Sequence, residues 1–319
     1  MHAVRHPSAP AGASRAGLIF GITCYTVWGL FPLYVVQLEF ASALEIVAHR
    51  ILWSLLLCLG LLALTRRLPE FLAVLRSPRQ FAALALAAAL IACNWLTYVY
   101  AATSGQVLQA SLGYFINPLL TVMLGVLVLR ERLRPAQWLG VSIALVAIVV
   151  IAVGQGKPPW LALVLAVSFG FYGLSKKQAG RSIAPIPSLT VETLVLAPLA
   201  LLALAWLNAR GQTHFTVHGA HSALWLMSTG IATTLPLITF AAAARRLPLS
   251  TLGLLQYIGP SLQFVIAVVI AHEPMSPSRW IGFAMIWAAL LLVSVDALHA
   301  QHRQRRLAAA GAPELEPLG

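Results

Sequence analysis

Leu112–Gly140, LGYFINPLLTVMLGVLVLRERLRPAQWLG, recurs 142 residues later as Leu254–Gly282, LLQYIGPSLQFVIAVVIAHEPMSPSRWIG, without a gap. Nine positions carry the same residue in both copies: Leu112/Leu254, Ile116/Ile258, Pro118/Pro260, Leu120/Leu262, Val126/Val268, Glu131/Glu273, Pro135/Pro277, Trp138/Trp280 and Gly140/Gly282. At the same offset, Arg50 falls opposite Glu192. The sequence therefore predicts that the chain consists of two copies of one structural unit.

The composition places both copies in a membrane. Of the 319 residues, 60% are hydrophobic and 9% are charged, which is more apolar than a soluble core of this size requires. About 20 apolar residues cross roughly 30 Å of hydrocarbon as a helix. The chain has ten stretches of this kind, at 17–37, 42–64, 81–103, 106–129, 136–154, 159–176, 187–207, 223–243, 249–271 and 278–297. The connections between them are too short for a soluble domain.

The basic residues predict the orientation of these spans. Strict alternation of the loops puts seventeen Lys and Arg residues, including Lys176 and Lys177, on the side of the N-terminus and three on the other side, with Arg50 inside a span. Cytoplasmic loops carry such an excess, so both termini are predicted to be cytoplasmic. The net charge of +12 is thus a topology signal, with the lipid bilayer and not nucleic acid as its partner.

Five spans in each copy turn the second copy upside down relative to the first. The predicted fold is therefore all-α, with ten transmembrane helices in two inverted five-helix repeats. Residues 17–154 form the first repeat and residues 159–297 the second. Residues 1–16 are expected to be a cytoplasmic tail, and residues 298–319 a basic and then disordered one. Inverted repeats of this kind rock about a central site in secondary transporters.

Prolines inside the predicted spans are candidate helix breaks and hinges. Pro118 and Pro260 occupy equivalent positions, Pro32 lies in span 1, and Pro236 lies in span 8. Each removes one helix hydrogen bond and frees a carbonyl group. Such irregular backbone is tolerated at membrane depth where it lines a cavity or packs on protein. Kinks that serve packing alone are the alternative interpretation.

Ionisable residues at membrane depth are candidates for function. Arg50 lies roughly 12 Å inside span 2 and must face protein or water, either as a structural anchor or as a substrate-facing cation. Its counterpart Glu192 lies about 10 Å away along the membrane normal, which predicts one charge towards each mouth of a shared cavity and not an ion pair. Glu192 and His49 are the candidates for proton coupling. Glu45, one helical turn from His49, is expected to be solvated near the outer surface.

Polar and aromatic residues in the same spans are candidate substrate-binding residues. They are Asn94, Trp95, Tyr98, Tyr114, Asn117, Gln256 and Tyr257, with Arg50, Glu192 and His49 as the charged members. Asn94, Trp95 and Tyr98 share one face of span 3. The other four uncharged residues lie within four residues of Pro118 or Pro260. Aromatic rings with polar tips line pockets for amphiphilic solutes. Interhelical hydrogen bonds and interfacial aromatic belts are the alternative.

The remaining polar features are given structural interpretations. Glu131 and Glu273, at equivalent span ends, are expected to be caps or loop ion pairs. His214, His218 and His221 lie in the longest outer loop with no Cys or carboxylate beside them in sequence, so they are expected to be solvated. The sequence has no P-loop, HExxH or GxSxG motif, so no catalytic residue, metal or cofactor is expected.

Several of these segments resemble the RarD branch of the EamA-type drug/metabolite transporter superfamily. They are EIVAHRILWS at 45–54, Asn94-Trp95, ASLGYFINP at 110–118, Glu192-Thr193, STLG at 250–253 and QYIGP at 256–260, within a resemblance that runs from Gly17 to Asp296. The resemblance implies the ten-helix drug/metabolite transporter fold, two EamA-type repeats, transport of small solutes and an association with chloramphenicol sensitivity. The family pattern has a lysine at the end of span 1, where this chain has Val36, so Arg50 gains weight as an anion-binding residue.

The sequence thus predicts a secondary transporter, or permease, for a small organic solute in the bacterial cytoplasmic membrane. A monomer is expected because both halves are present in one chain. An uncoupled facilitator or channel and a non-transporting membrane partner are the alternatives. An enzyme is not expected, because no cluster of nucleophile, base and orienting group is present.

Overall fold

The computed structural model describes residues 14–103, 107–153 and 160–270, and from there to residue 296 only 277, 280–282, 284–285, 287–289, 291–292 and 295–296. Within this part of the chain all regular structure is helical. The helices are α1 (Arg15–Val35), α2 (Ala43–Leu64), α3 (Leu68–Arg76), α4 (Pro78–Thr103), α5 (Val107–Leu127), α6 (Pro135–Val153), α7 (Trp160–Ala179), α8 (Pro185–Ala209), α9 (Ala220–Arg246), α10 (Leu249–Leu255) and α11 (Ile258–Val265). A 3₁₀ turn, Val36–Leu38, extends α1, and a π-helical turn, Ile266–Ile270, extends α11.

Five helical segments in the described part of the chain are long and apolar enough to cross a membrane: Arg15–Leu38, Ala43–Leu64, Pro78–Tyr98, Pro185–Ala209 and Ala220–Arg246. Their outward faces carry large apolar side chains, as lipid contact requires. Helices occupy the positions of predicted spans 1 to 9, and the described residues of span 10 are helical. The total of ten crossings and the inversion of the repeats stay predictions.

The sequence did not predict α3. Its nine residues were expected to be part of the loop between spans 2 and 3, but they form a short amphipathic helix. Pro69 occupies the first turn, where its missing N–H costs nothing. Phe71 and Val74 are buried against α8, and Leu68 and Leu72 are exposed. A helix of nine residues is too short to cross a membrane, so a search for membrane spans does not detect it.

The helix breaks expected at the prolines need correction. Pro32, Pro118 and Pro236 lie inside α1, α5 and α9, which continue through them. One proline removes a single hydrogen bond, and the remaining ladder holds the helix together. Within the described residues, the only break inside a predicted span is in span 9, at Gln256 and Tyr257, just before Pro260. The two equivalent prolines therefore differ: one lies in a continuous helix and the other follows an interruption.

The helices of the two halves pack in matching pairs. α1 packs against α9 and α11, and correspondingly α7 packs against α4 and α5. α2 packs against α8, and α5 packs against α10. Small residues permit the closest approaches: a Cβ atom on Gly230 of α9 would lie 2.7 Å from the backbone carbon of Trp53 in α2. On α10, a Cβ atom on Gly253 would lie 2.8 Å from the carbonyl oxygen of Pro118.

The predicted capping role of Glu131 is confirmed. Its Oε1 accepts a hydrogen bond from the N–H of Leu249 at 2.7 Å. Its Oε2 accepts from the N–H and the hydroxyl of Ser250, at 2.9 and 2.7 Å. The carboxylate between α5 and α6 in the first half thus caps the N-terminus of α10 in the second half, where the helix dipole favours a negative charge. Glu273 lies outside the described residues.

The crossing of α2 and α9 leads to a stability prediction. Gly230→Ala places a methyl group against the backbone of Trp53, which cannot move aside cheaply, so we expect a loss of about 2 kcal/mol of stability. Gly60→Ala in α2 is the matched control, because a Cβ atom there has nothing within 4 Å. Its expected effect is zero or a gain of about 0.5 kcal/mol. Thermal unfolding of both variants in detergent measures the difference, and equal unfolding temperatures would contradict the close crossing.

Candidate functional site

A cavity of about 340 Å³ lies among the packed helices, within the usual range for a small-molecule site. Its wall comes from α1, α2, α4, α5, α7, α9 and the region of the break between α10 and α11. We call it the central cavity; it is lined by Tyr25, Trp28, Phe31, Pro32, Val35, Val36, Glu39, Arg50, Ile91, Asn94, Trp95, Tyr98, Tyr114, Asn117, Phe169, Leu237, Gln256, Gly259, Pro260 and Gln263. Its mouth is near the C-terminal end of α1, where Val36 and Glu39 are exposed.

Arg50 extends from α2 into the wall of the central cavity. Its guanidinium carbon lies 5.0 Å from the ring centroid of Phe31 and 4.8 Å from that of Trp95. Its Nε donates a hydrogen bond to the hydroxyl of Thr233 at 2.9 Å. These contacts fix the planar group, and cation–π attraction offsets part of its desolvation. Among the described residues no carboxylate forms an ion pair with Arg50, so its charge is available to a solute.

Two asparagines in the wall differ in how their side chains are satisfied. Asn94 in α4 donates from Nδ2 to the carbonyl of Leu165 at 2.9 Å and to the hydroxyl of Ser168 at 3.1 Å, which ties α4 to α7. The side-chain oxygen of Asn117 in α5 is buried and has no hydrogen-bond partner among the described residues. An unpaired buried acceptor is costly, and a solute that donates an N–H or O–H group would satisfy it.

Five aromatic rings close the end of the central cavity opposite the mouth. We call them the aromatic floor: Tyr25, Trp28, Phe169, Tyr172 and Phe240. Ring centroids of neighbours lie 5.6 to 6.4 Å apart. Tyr25, Trp28 and Phe169 line the cavity, and Tyr172 and Phe240 lie behind them, both fully buried. A solute at Arg50 is therefore separated from the far side of the molecule by two layers of rings.

The EamA-like transporter family model matches this chain twice, over residues 15–153 and 157–295. The chain belongs to this family. Within the family it belongs to the RarD branch: Protein RarD of Streptomyces exfoliatus is 48% identical over 300 residues, which cover 94% of each chain. An uncharacterized transporter of Pseudomonas aeruginosa is 45% identical over 290 residues, covering 91% of this chain and 96% of that protein.

A crystal structure of a protein shows the same fold. It aligns with a TM-score of 0.70 at 20% sequence identity, over 89% of this chain and 99% of the other. Family membership, transporter relatives and the apolar helices together identify a multi-pass membrane protein of the transporter class, not an enzyme. The duplication of the family model also agrees with the repeat that is visible in the sequence.

The structure brings most of the predicted binding residues of this EamA-family chain together. Seven of them line the central cavity: Arg50, Asn94, Trp95, Tyr98, Tyr114, Asn117 and Gln256. Of the four candidate hinge prolines, Pro32 and Pro260 also line it, and Pro118 and Pro236 do not. Gln256 lies at the break in span 9 and pairs with the hydroxyl of Thr121 in α5. Whether any of these residues binds a solute stays a prediction.

Glu192 lies away from the central cavity in a buried ion pair. Its Oε1 is 2.6 Å from Nζ of Lys176. The sequence placed Lys176 at the end of span 6, among the basic residues on the side of the N-terminus. In the structure it is the fourth residue from the end of α7 and is 2% exposed, so it faces the protein interior. The absence of an Arg50–Glu192 pair agrees with the depth estimate. The shared cavity with one charge at each mouth is not seen, because the aromatic floor separates the two residues.

His49 and Tyr257 also lie outside the lining of the central cavity. Nδ1 of His49 accepts a hydrogen bond from the indole N–H of Trp53 at 3.2 Å, and its ring stacks on Phe215 with centroids 5.1 Å apart. Tyr257 is buried in a separate apolar cluster with Phe115 and Phe264. The direction of His49 follows from helix geometry, since it neighbours Arg50 in α2 and neighbouring residues project about 100° apart.

The expectation for Glu45 and His214 is wrong. Glu45 was expected to be solvated, but it is fully buried. Its Oε1 accepts from the backbone N–H of His214 at 2.6 Å, and its Oε2 is 2.8 Å from Nδ1 of the same residue. The pair joins the start of α2 to the loop before α9. Sequence spacing missed it because 169 residues separate the partners.

Several residues that line the central cavity or contact its lining were not among those predicted from the sequence. Trp28 and Phe169 form part of the floor, Phe31 covers one face of Arg50, and Gln263 donates from Nε2 to the carbonyl of Trp28 at 3.3 Å. The repeat carried one usable signal: Trp28-Gly29 lies within one residue of the counterpart of Phe169-Gly170. Aromatic residues at equivalent depth in two inverted copies are expected to meet near the pseudo-symmetry axis.

Proposed function

We propose that this EamA-family protein is a secondary transporter for a small organic solute that carries a negative charge. The observation that carries this proposal is Arg50, a partly buried cation that faces a cavity of about 340 Å³ without a carboxylate partner among the described residues. A charge that has lost part of its water and has no partner is costly. Its natural compensation is an anionic or zwitterionic solute, whose carboxylate accepts hydrogen bonds from the guanidinium group.

The rest of the central cavity suits the remainder of such a solute. Phe31, Trp95, Tyr98 and Tyr114 offer ring faces near Arg50 for an apolar or aromatic body. The free oxygen of Asn117 offers an acceptor for an amine, amide or hydroxyl group. A site with apolar walls and a few polar groups fixes orientation through the polar groups and gains affinity from burial.

Alternating access is supported by the pairing of the helices. Exchanging each helix of residues 17–154 for its counterpart in residues 159–297 converts the α1–α9 contact into α7–α4 and the α5–α7 contact into α11–α1. Two inverted repeats related by a two-fold axis have this property. We propose this inversion, with ten spans, cytoplasmic termini and a place in the bacterial inner membrane. The central cavity then opens to the outer side.

The solute binds in one state and is released in the other, and a coupling ion gives the cycle its direction. Glu192 and His49 remain the candidates for proton coupling. A facilitator that equilibrates its solute without an ion gradient is the second candidate. The RarD resemblance also implies a link to chloramphenicol sensitivity, which we include as a proposal. Chloramphenicol is therefore a neutral aromatic solute to be tested beside the anionic ones.

The first test is binding to the purified chain. A ligand that binds only the folded state raises the unfolding temperature, by an amount that follows its concentration relative to Kd. We expect phenylacetate to raise it, phenethylamine to have no effect, and chloramphenicol to show whether a neutral solute suffices. Counterflow in proteoliposomes then separates a transporter from a non-transporting protein. Stabilisation by the amine alone would contradict the proposed role of Arg50.

A further inference from the structure

A second polar site lies behind the aromatic floor. Nζ of Lys176 donates to the Ser188 hydroxyl at 2.8 Å as well as to Oε1 of Glu192. Ser188 donates to the same Oε1 at 3.0 Å, and the Tyr172 hydroxyl donates to Oε2 at 3.2 Å. All four side chains are at most 3% exposed. We call this group the inner cluster; each hydrogen bond in it holds α7 to α8 or braces α8 on itself.

Stability alone is a weak reason for this arrangement. Removing an ammonium and a carboxylate from water costs several kcal/mol for each ion, and well-packed apolar residues in the same place are often as stable or more so. Ionisable residues buried within membrane helices typically lie on ion pathways and proton relays. The inner cluster therefore calls for a function other than holding two helices together.

The repeat relates the inner cluster to the central cavity. The offset of 142 residues places Glu192 opposite Arg50 and Lys176 opposite Tyr34. Arg50 faces open space, whereas Glu192 faces a filled interior. If the repeats are inverted, as the proposed function requires, the pathway has two equivalent ends. One end is open at Arg50 in this structure, and the other is closed at Glu192.

Tyr172 connects the inner cluster to the central cavity. Its hydroxyl bonds to Glu192, and its ring stacks on Phe240 with centroids 5.7 Å apart and planes at 11°. Its ring also lies 5.9 Å from Phe169, which lines the cavity. A change in the charge of Glu192 thus reaches the solute site through a single side chain. Coupling of this kind needs a contiguous, packed network with two arrangements.

We propose that the Lys176–Glu192 pair is a proton-operated latch on the closed end of the pathway. One proton from the aqueous side adds to Oε2 of Glu192 and makes the side chain neutral. The ion pair with Lys176 is then lost, and Oε2 becomes a hydroxyl that no longer accepts the hydrogen bond of the Tyr172 hydroxyl. Lys176 keeps its hydrogen bond to Ser188. With this anchor gone, Tyr172 withdraws and the aromatic floor opens towards the inner side.

Few other ionisable groups lie close to Glu192 among the described residues. From α7 it faces Lys176 and Tyr172, and from α2 it faces the thiol of Cys58, which lies beside Thr190 and Thr234 and within the field of both charges. The charged residues of α3, α4 and α9, namely Glu70, Arg76, Arg79, Arg245 and Arg246, are all exposed. Among the described residues, Glu192 is thus the only carboxylate in the cluster.

Cys58 provides a native reporter of the latch. It is fully buried next to the inner cluster, so it reacts with a thiol reagent only when that region opens. The assay uses the purified full-length chain with Cys24→Ala and Cys93→Ser, and it measures alkylation by N-ethylmaleimide through intact mass. Glu192→Gln mimics the protonated carboxyl. We expect it to accelerate labelling at neutral pH at least roughly tenfold, and Glu70→Gln, on the exposed face of α3, to change nothing.

Acidification distinguishes the latch from general loosening. A lower pH slows alkylation of any thiol, because the thiolate is the reactive form. In the chain that keeps Glu192, we nevertheless expect labelling of Cys58 to become faster on acidification. In the Glu192→Gln variant, we expect only the slower labelling that results from the loss of thiolate. If the single variant misfolds, Lys176→Gln with Glu192→Gln leaves no unpaired charge, and the same results are expected of it.

Three outcomes would overturn the proposal. They are unchanged labelling in the variants at neutral pH, acid acceleration that persists without Glu192, and faster labelling accompanied by a fall in unfolding temperature, which indicates loosening of the fold. The assay contains no organic solute. A chain that fails to bind phenylacetate can therefore still show the latch, and a chain that binds it can still lack the latch.

Discussion

Arg50→Ala is expected to weaken the binding of phenylacetate about 100-fold. The reason is the loss of two charge-assisted hydrogen bonds between a fixed guanidinium group and a carboxylate, each contributing about 1.5–3 kcal/mol. A total of about 3 kcal/mol corresponds to roughly a hundredfold change in Kd. Calorimetric titration of the purified chain measures this, and the shift of unfolding temperature gives an independent estimate.

Arg210→Ala is the matched control for this prediction. Arg210 also stacks on an indole, 4.1 Å from the Trp206 ring, but it is exposed at the end of α8 and does not line the central cavity. Its replacement is expected to leave Kd unchanged. Arg50→Lys keeps the charge and loses the planar fork, so an intermediate loss is expected. Equal loss for phenylacetate and a neutral ligand in Arg50→Ala would instead indicate a structural arginine.

The fold could be predicted largely because its determinants are local and repeated. Each apolar stretch specifies a helix by length alone, and the offset of 142 residues specifies the duplication. The interruption of span 9 could not be placed in this way. Pro118 and Pro260 are identical by position, but Asn117 precedes the first and Gly259 the second. Glycine lowers the stability of a helix, and the break lies within three residues of Gly259.

The candidate site was predictable where residues share one helix face and not where they meet across helices. Asn94, Trp95 and Tyr98 follow from spacing in α4. The Lys176–Glu192 pair and the Glu45–His214 pair do not, because each joins segments whose relative rotation is set by packing. The burial of Lys176 could not be predicted either, since a lysine at the end of a span usually faces the aqueous side. Long-range ion pairs need a structure.

Glu131→Ala is expected to lower the stability of the chain by about 3 kcal/mol. The carboxylate accepts three hydrogen bonds from Leu249 and Ser250, two of them from backbone N–H groups at the start of α10. Hydrogen bonds to charged groups contribute about 1.5–3 kcal/mol each, and a buried donor left unpaired adds its own cost. Because α10 has only seven residues, it has few internal hydrogen bonds that could compensate for the loss of the cap.

Glu70→Ala is the matched control for the cap. Glu70 also lies near a helix start and pairs with Arg67, but the two atoms are 3.6 Å apart and both side chains are largely exposed. Exposed pairs contribute at most about 1 kcal/mol, so thermal unfolding in detergent should separate the two variants clearly. Glu131→Gln keeps one acceptor oxygen and should fall between them. Protease cleavage at the connection from Leu247 to Ser250 should increase only in the Glu131 variants. Equal unfolding temperatures for Glu131→Ala and Glu70→Ala would show that packing of α10 on α5, and not the carboxylate, holds the two halves together here.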